Sequence, residues 1–133
     1  MECQFAFIAD SAQQDRKLHA LGIGWDTLYA PSLPSVHPMM SFVAKLEGSI
    51  AENGEKDMVL RLIDADGVDV VPPLSNKIRL DVKPPRLTGT INIALGFSGI
   101  TFSKYGGYAF HLIVQGNEKA RVAFNIAMPP STT

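Results

Sequence analysis

The densest group of potential ligand atoms in the chain is Asp64-Ala65-Asp66-Gly67-Val68-Asp69, which sets the carboxylates of Asp64, Asp66 and Asp69 around one glycine. Hard cations take oxygen ligands of this kind, and the segment shares the opening of a calcium loop. A full EF-hand loop would place a further acidic ligand at its twelfth position, where this chain has Ser75, and would need flanking helices. Asp-Gly is also a common hairpin turn, so a plain turn is the favoured reading, with Ca2+ as its alternative. No other cofactor is expected.

His19, His37 and His111 lack the i,i+2 or i,i+4 pairing of a local metal site, and Cys3 is the only cysteine. Gly96-Phe97-Ser98-Gly99 lacks the Gly-x-Ser-x-Gly spacing of a nucleophile elbow. Cys3 shares a strand face with Phe5 and Phe7, where burial would disfavour a thiolate. Neither suggests an enzyme. Trp25 and Tyr29, with His37 at the end of a proline-rich loop, could form an aromatic platform for a sugar or other small molecule. The lone tryptophan of a β domain more often fills its core, which is the reading preferred for Trp25.

The elements that must position these residues are strands. Phe5-Ala6-Phe7-Ile8 near the start and Tyr108 to Gln115 near the end both alternate, and the two-residue period recurs between them. Asp10 to Lys17 is polar with capping residues at its front, so it reads as a loop or one helical turn. Leu18 to Tyr29 reads as one strand, whose Gly22 and Gly24 imply a bulge or a close approach by another group. Ala30 to Pro38, with Pro31, Pro34 and Pro38, reads as an extended crossing loop. Asn53-Gly54 predicts a hairpin between Met39–Ile50 and Met58–Ile63, and Gly116-Asn117 predicts another between the last two strands. Tyr108 stands where immunoglobulin-like domains hold a tyrosine whose hydroxyl bonds to nearby backbone. Eight or nine short strands with turn chemistry between them predict an all-β fold, a two-sheet antiparallel β-sandwich of immunoglobulin-like or C2-like kind. Residues 1–128 would form one domain, with 129–133 as a flexible tail.

A sandwich needs one buried face per sheet, yet several strands carry apolar residues on both. If Phe110, Leu112 and Val114 face inward, Ala109, His111 and Ile113 face outward, and Ile8, Val43, Val59 and Ile63 repeat the pattern. Such a surplus implies a covering loop or a contact surface, which makes a homo-oligomer or a protein partner the main functional expectation. The global field points elsewhere than nucleic acid: 12 basic residues against 13 acidic leave a net charge of −1. The longest uncharged window, Leu87 to Thr101, is broken by polar residues and glycines short of the roughly 20 residues a membrane-spanning helix needs. With one cysteine and no visible secretion signal, a cytoplasmic home is expected.

The strings Phe5-Ala6-Phe7-Ile8-Ala9-Asp10, Leu21-Gly22-Ile23-Gly24-Trp25-Asp26, His37-Pro38, the Asp64-to-Gly67 turn and Gly107-Tyr108-x-Phe110 together carry a resemblance over most of the chain. The chain resembles a family of small bacterial hypothetical proteins grouped as a domain of unknown function. That resemblance implies a bacterial, cytoplasmic β-sandwich and carries over no functional residue. Three readings follow in order: a non-enzymatic contact protein, acting as a homo-oligomer or as an accessory subunit; a small-molecule or glycan-binding module at Trp25; and a metal-dependent enzyme using Asp64, Asp66 and a histidine.

Overall fold

The computed structural model describes residues 1–130. Ten strands follow one another: β1 (Glu2–Ala9), β2 (Ser11–Asp15), β3 (Lys17–Leu21), β4 (Thr27–Tyr29), β5 (Ser35–Ser49), β6 (Gly54–Asp64), β7 (Leu74–Leu80), β8 (Thr88–Phe102), β9 (Gly106–Val114) and β10 (Asn117–Ala127). A single 3-10 turn, Ile50–Glu52, interrupts them, and no α-helix occurs among the described residues. The fold is all-β, as the alternation implies. The strands form three sheets rather than two: β1-β5-β8, a five-stranded sheet β4-β10-β9-β6-β7, and the hairpin β2-β3. The five-stranded sheet is curled into a half-barrel. Part of the tail expected from Pro129 onward lies outside the described residues.

Alternation sets the core. Met40, Phe42, Ala44 and Leu46 of β5 are buried with Leu60 and Leu62 of β6, Phe110 and Leu112 of β9, and Phe124 of β10, in one apolar cluster. The two-residue period sets Met40, Phe42, Ala44 and Leu46 on one face of β5. On β1, however, the register pairs Ile8 with Phe42 and Ala6 with Ala44, after a bulge between Cys3 and Phe5. The extra residue flips the face, so Ile8 enters the core at 3% exposure while Phe5 stays 41% exposed on the other side. Ile8 is therefore no surface residue. Val43 is another correction: it lies on the opposite face of β5 from Phe42 yet is fully buried, because β2 lies against β5 and β8 on that side. The covering element is a hairpin made from Asp10 to Leu21.

That hairpin replaces the expected loop or helical turn. Arg16 takes a positive φ of 57° at its tip, and Ala12 pairs with Ala20 across it. The long strand expected from Leu18 to Tyr29 ends at Leu21, and β4 joins β10 in parallel. Gly22, at φ 72°, is where the chain turns, and a Cβ there would overlap the Asp10 carboxylate. The close approach implied by glycine is thus met by a side chain. The expected crossing loop is shorter than Ala30 to Pro38, since β5 begins at Ser35 and pairs Val36 with Thr101. Nor do β5 and β6 form a hairpin, for they lie in different sheets. Ser49 and Glu52 cap the 3-10 turn between them, and Asn53 has φ −54° rather than the positive angle of a two-residue hairpin turn. The final hairpin forms, but its turn is Gln115-Gly116, at φ 49° and 80°, one residue before the expected Gly116-Asn117, and Asn117 opens β10.

Tyr108 is buried, and its hydroxyl donates to the Lys104 carbonyl at 2.7 Å. This is the tyrosine-to-nearby-backbone bond expected from sequence, and it fastens the connection into β9. Burial pushes the Tyr108 phenol above its ordinary value. Tyr108→Phe is expected to cost about 1 kcal/mol of unfolding free energy, read by urea denaturation, since it removes one hydrogen bond and leaves the packing in place. No change in the urea midpoint would show the bond to be without net effect.

Candidate functional site

The outer face of the five-stranded sheet brings together residues from three neighbouring strands. Register pairs Val59 with Ile113, Arg61 with His111 and Ile63 with Ala109 between β6 and β9. Between β9 and β10 it pairs His111 with Arg121, Ala109 with Ala123 and Gly107 with Asn125. Two rows result, Arg61–His111–Arg121 and Ile63–Ala109–Ala123, the first cationic or titratable and the second small and apolar. Both follow from the two-residue period, because Arg61 and Ile63 on β6, and His111 and Ala109 on β9, share one face.

The segment after β6 folds back beside these rows. Val70 N–H donates to the Leu62 carbonyl at 2.8 Å, and Ile63 forms a bridge with Asp69. Arg61 donates Nε to Asp69 Oδ1 at 3.0 Å and a second guanidinium nitrogen to Oδ2 at 3.1 Å. The bidentate pair holds the loop in place. Between this loop and β9–β10 runs a trough of about 400 Å³, lined by Ile63, Ala65, Gly107, Ala109 and Ala123 with His111, Arg121 and Asn125 at its margin. The trough exists because the central positions are glycine and alanine, which leave the backbone uncovered where larger residues would fill the space.

The charges of the row are unequally satisfied. Asp69 neutralises Arg61, and His111 Nδ1 meets the Glu118 carboxylate. His111 Nε2 is buried without a partner among the described residues. Arg121 is exposed, and no salt bridge engages it among the described residues. It is the free cation of the row.

The three aspartates are directed to different partners. Asp64 accepts from the backbone N–H groups of Asp66 at 2.9 Å and Val68 at 3.0 Å, the geometry of an Asx turn. The Val68 N–H foremost holds the Asp64 carboxyl below its ordinary range, with Asp66 N–H and Lys104 adding to the effect. Lys104 Nζ stands 3.2 Å from Asp66 and 3.8 Å from Asp64, whereas Asp69 belongs to Arg61. Among the described residues no group of three or more histidine, cysteine or acidic side chains is set to hold a metal ion. Asp64 thus forms the turn, while Asp66 and Asp69 are engaged by Lys104 and Arg61.

Trp25 and His37 do meet, with ring centroids 6.4 Å apart, and Trp25 packs edge-on to Phe124 at 6.1 Å. The indole Nε1 is buried without a partner among the described residues, and Tyr29 is exposed on β4 beside Ala127. Trp25 thus leans on the core. Its emission is expected to be blue-shifted relative to free tryptophan and weakly quenched by iodide. A red-shifted, readily quenched spectrum would place the ring in solvent and revive the stacking platform.

Of the residues expected at a contact surface, Val59, His111 and Ile113 lie together on this outer face, while Ile8 and Val43 do not. Sequence reasoning placed Ala109 on the outward side of its strand but missed Arg61 and Arg121, each of which alternates correctly in its own strand. Only the cross-strand register shows that they are neighbours.

No curated protein matches the chain. Among solved structures, a Pseudomonas fluorescens alkylpurine DNA glycosylase AlkC bound to DNA containing an abasic site analog matches with a TM-score of 0.45 and 10% identity. The match covers 77% of this chain and 28% of that one, so this chain spans little more than a quarter of that protein. A likeness at that level carries neither fold nor activity across. The family resemblance seen in the sequence has a firmer counterpart. A family model matches residues 4–127, and the chain belongs to that family, DUF6941, a family of unknown function.

Proposed function

We propose that the protein works by contact with another protein rather than by catalysis, and that the outer face of its five-stranded sheet is the surface used. The observation that carries this is the trough itself: a floor of Gly107, Ala109 and Ala123 beside half-buried Ile63, with the uncommitted guanidinium of Arg121 at its margin. A polypeptide suits this surface, placing apolar side chains over the floor and a carboxylate against Arg121. Completing the burial of Val59, Ile63 and Ile113 contributes on the order of 3 kcal/mol. Association costs about 4–15 kcal/mol, so contact must extend across the trough and the loop after β6.

A β-sandwich of immunoglobulin-like or C2-like kind belongs to the same reading, supported by a core cluster that draws on both larger sheets. So does a bacterial cytoplasmic role as an accessory subunit, in keeping with a single, unpaired Cys3. No helix among the described residues is long and apolar enough to cross a membrane.

Cross-linking mass spectrometry in the natural host tests the surface. Cross-links from Lys104, which pairs with Asp64 and Asp66 of the loop beside the trough, to a second protein are expected, and Ala123→Trp and Arg121→Glu are each expected to abolish them. Both positions are exposed, so neither change should disturb folding. Cross-links that survive both substitutions would place the contact elsewhere.

A further inference from the structure

The two larger sheets have four edge strands, and three of them carry the usual protections against pairing with another chain. β1 is bulged between Cys3 and Phe5, β4 has three residues, and β7 carries Lys77 and Arg79. β8 is the exception. It is 15 residues long, pairs with β5 alone among the described residues, and contains no charged residue and no proline from Thr88 to Phe102. At its start, Val82 closes over Gly89, and near its end Gly99 takes a φ of 63°. Between them, Asn92 to Ser98 presents a run of backbone whose outer donors and acceptors meet no other strand among the described residues.

We propose that β8 pairs antiparallel with β8 of a second copy of this chain, joining the two three-stranded sheets into one of six strands. A two-fold axis near Leu95, the middle of the strand, sets each residue against its counterpart in reverse order and makes the contact self-complementary. Neutrality selects this occupant: a charged edge set against itself meets like charges, whereas this one meets none. The contact also closes. Each chain offers one unprotected edge in its larger sheets, so two copies consume it and no fibre grows. This surface is distinct from the trough, and the inference stands whether or not the trough binds a partner.

Sedimentation equilibrium of the purified chain, with Gly96→Lys and Ser98→Lys variants, tests it. Both positions are exposed, and a Cβ at Gly96 would meet only Ser41 Oγ, at 3.7 Å, so the fold accommodates the change. The wild type is expected at twice the 14.4 kDa chain mass, and each lysine is expected to raise the dimer dissociation constant about tenfold or more with thermal melting unchanged. Should Gly96→Lys fail to fold, Ser98→Lys decides alone. Ser75→Lys, on β7, is expected to leave the dimer intact. A wild-type monomer at every concentration, a dimer indifferent to both lysines, or open-ended polymers would each overturn the proposal.

Discussion

Phe110→Ala is expected to destabilise the protein by about 3–5 kcal/mol, a large part of the roughly 5–15 kcal/mol that holds a domain of this size together. Phe110 has no exposed surface and lies between the sheets. Its ring is 5.6 Å from Phe42 and 5.5 Å from Phe97, both in the three-stranded sheet, and 6.0 Å from Phe124 in its own. Truncation therefore removes the piece that the two sheets share. A cavity at that place has aromatic walls on both sides, and such rings collapse into it poorly. Thermal melting should fall by about 10–20 °C. A loss below about 1 kcal/mol would mean that the sheets do not depend on this cluster.

Asn53→Ala is expected to cost about 2–4 kcal/mol, more than most polar substitutions near a surface. Asn53 Nδ2 donates to the Val82 carbonyl, and Val82 N–H donates to Asn53 Oδ1, both at 2.8 Å. One side chain thus completes the backbone bonding of a residue just beyond β7, and Val82 is itself buried. Removing the amide strands two backbone groups at once, each carrying its own desolvation penalty. Asn53→Asp keeps the acceptor and loses the donor, so it should fall between wild type and alanine. Urea titration of the three proteins checks the order. Equal stability of alanine and aspartate variants would show that the Val82 carbonyl contact contributes little.

Asn53 also shows where sequence reading ends. Asn-Gly is a strong local sign of a hairpin, and the chain does turn there, but it turns from one sheet to another. The difference depends on residue 82, which no local pattern connects to residue 53. β1 fails in the same manner: Phe5, Phe7 and Ile8 alternate plainly, yet one bulge decides which of them enters the core. Where a pattern is long and regular, as in Met40 to Leu46 or Phe110 to Val114, the face is legible because a one-residue slip would expose a whole row of apolar side chains. The Tyr108 bond was legible for a related reason, since its partner Lys104 is four residues away. The trough was half legible. His111, Ile113 and Val59 stand out as apolar or titratable residues on a face that should be wet, but their arginine neighbours emerge only from pairing across three strands.

The measurement that bears most directly on a contact role is native mass spectrometry of the chain isolated gently from its natural host, as wild type, Arg121→Glu and Gly96→Lys. The expected wild-type spectrum contains a second protein and no small-molecule mass, with the partner lost from Arg121→Glu and kept by Gly96→Lys. Chains of bare 14.4 kDa mass in all three, or a wild-type chain carrying a bound ion or small molecule in place of a protein, would contradict it.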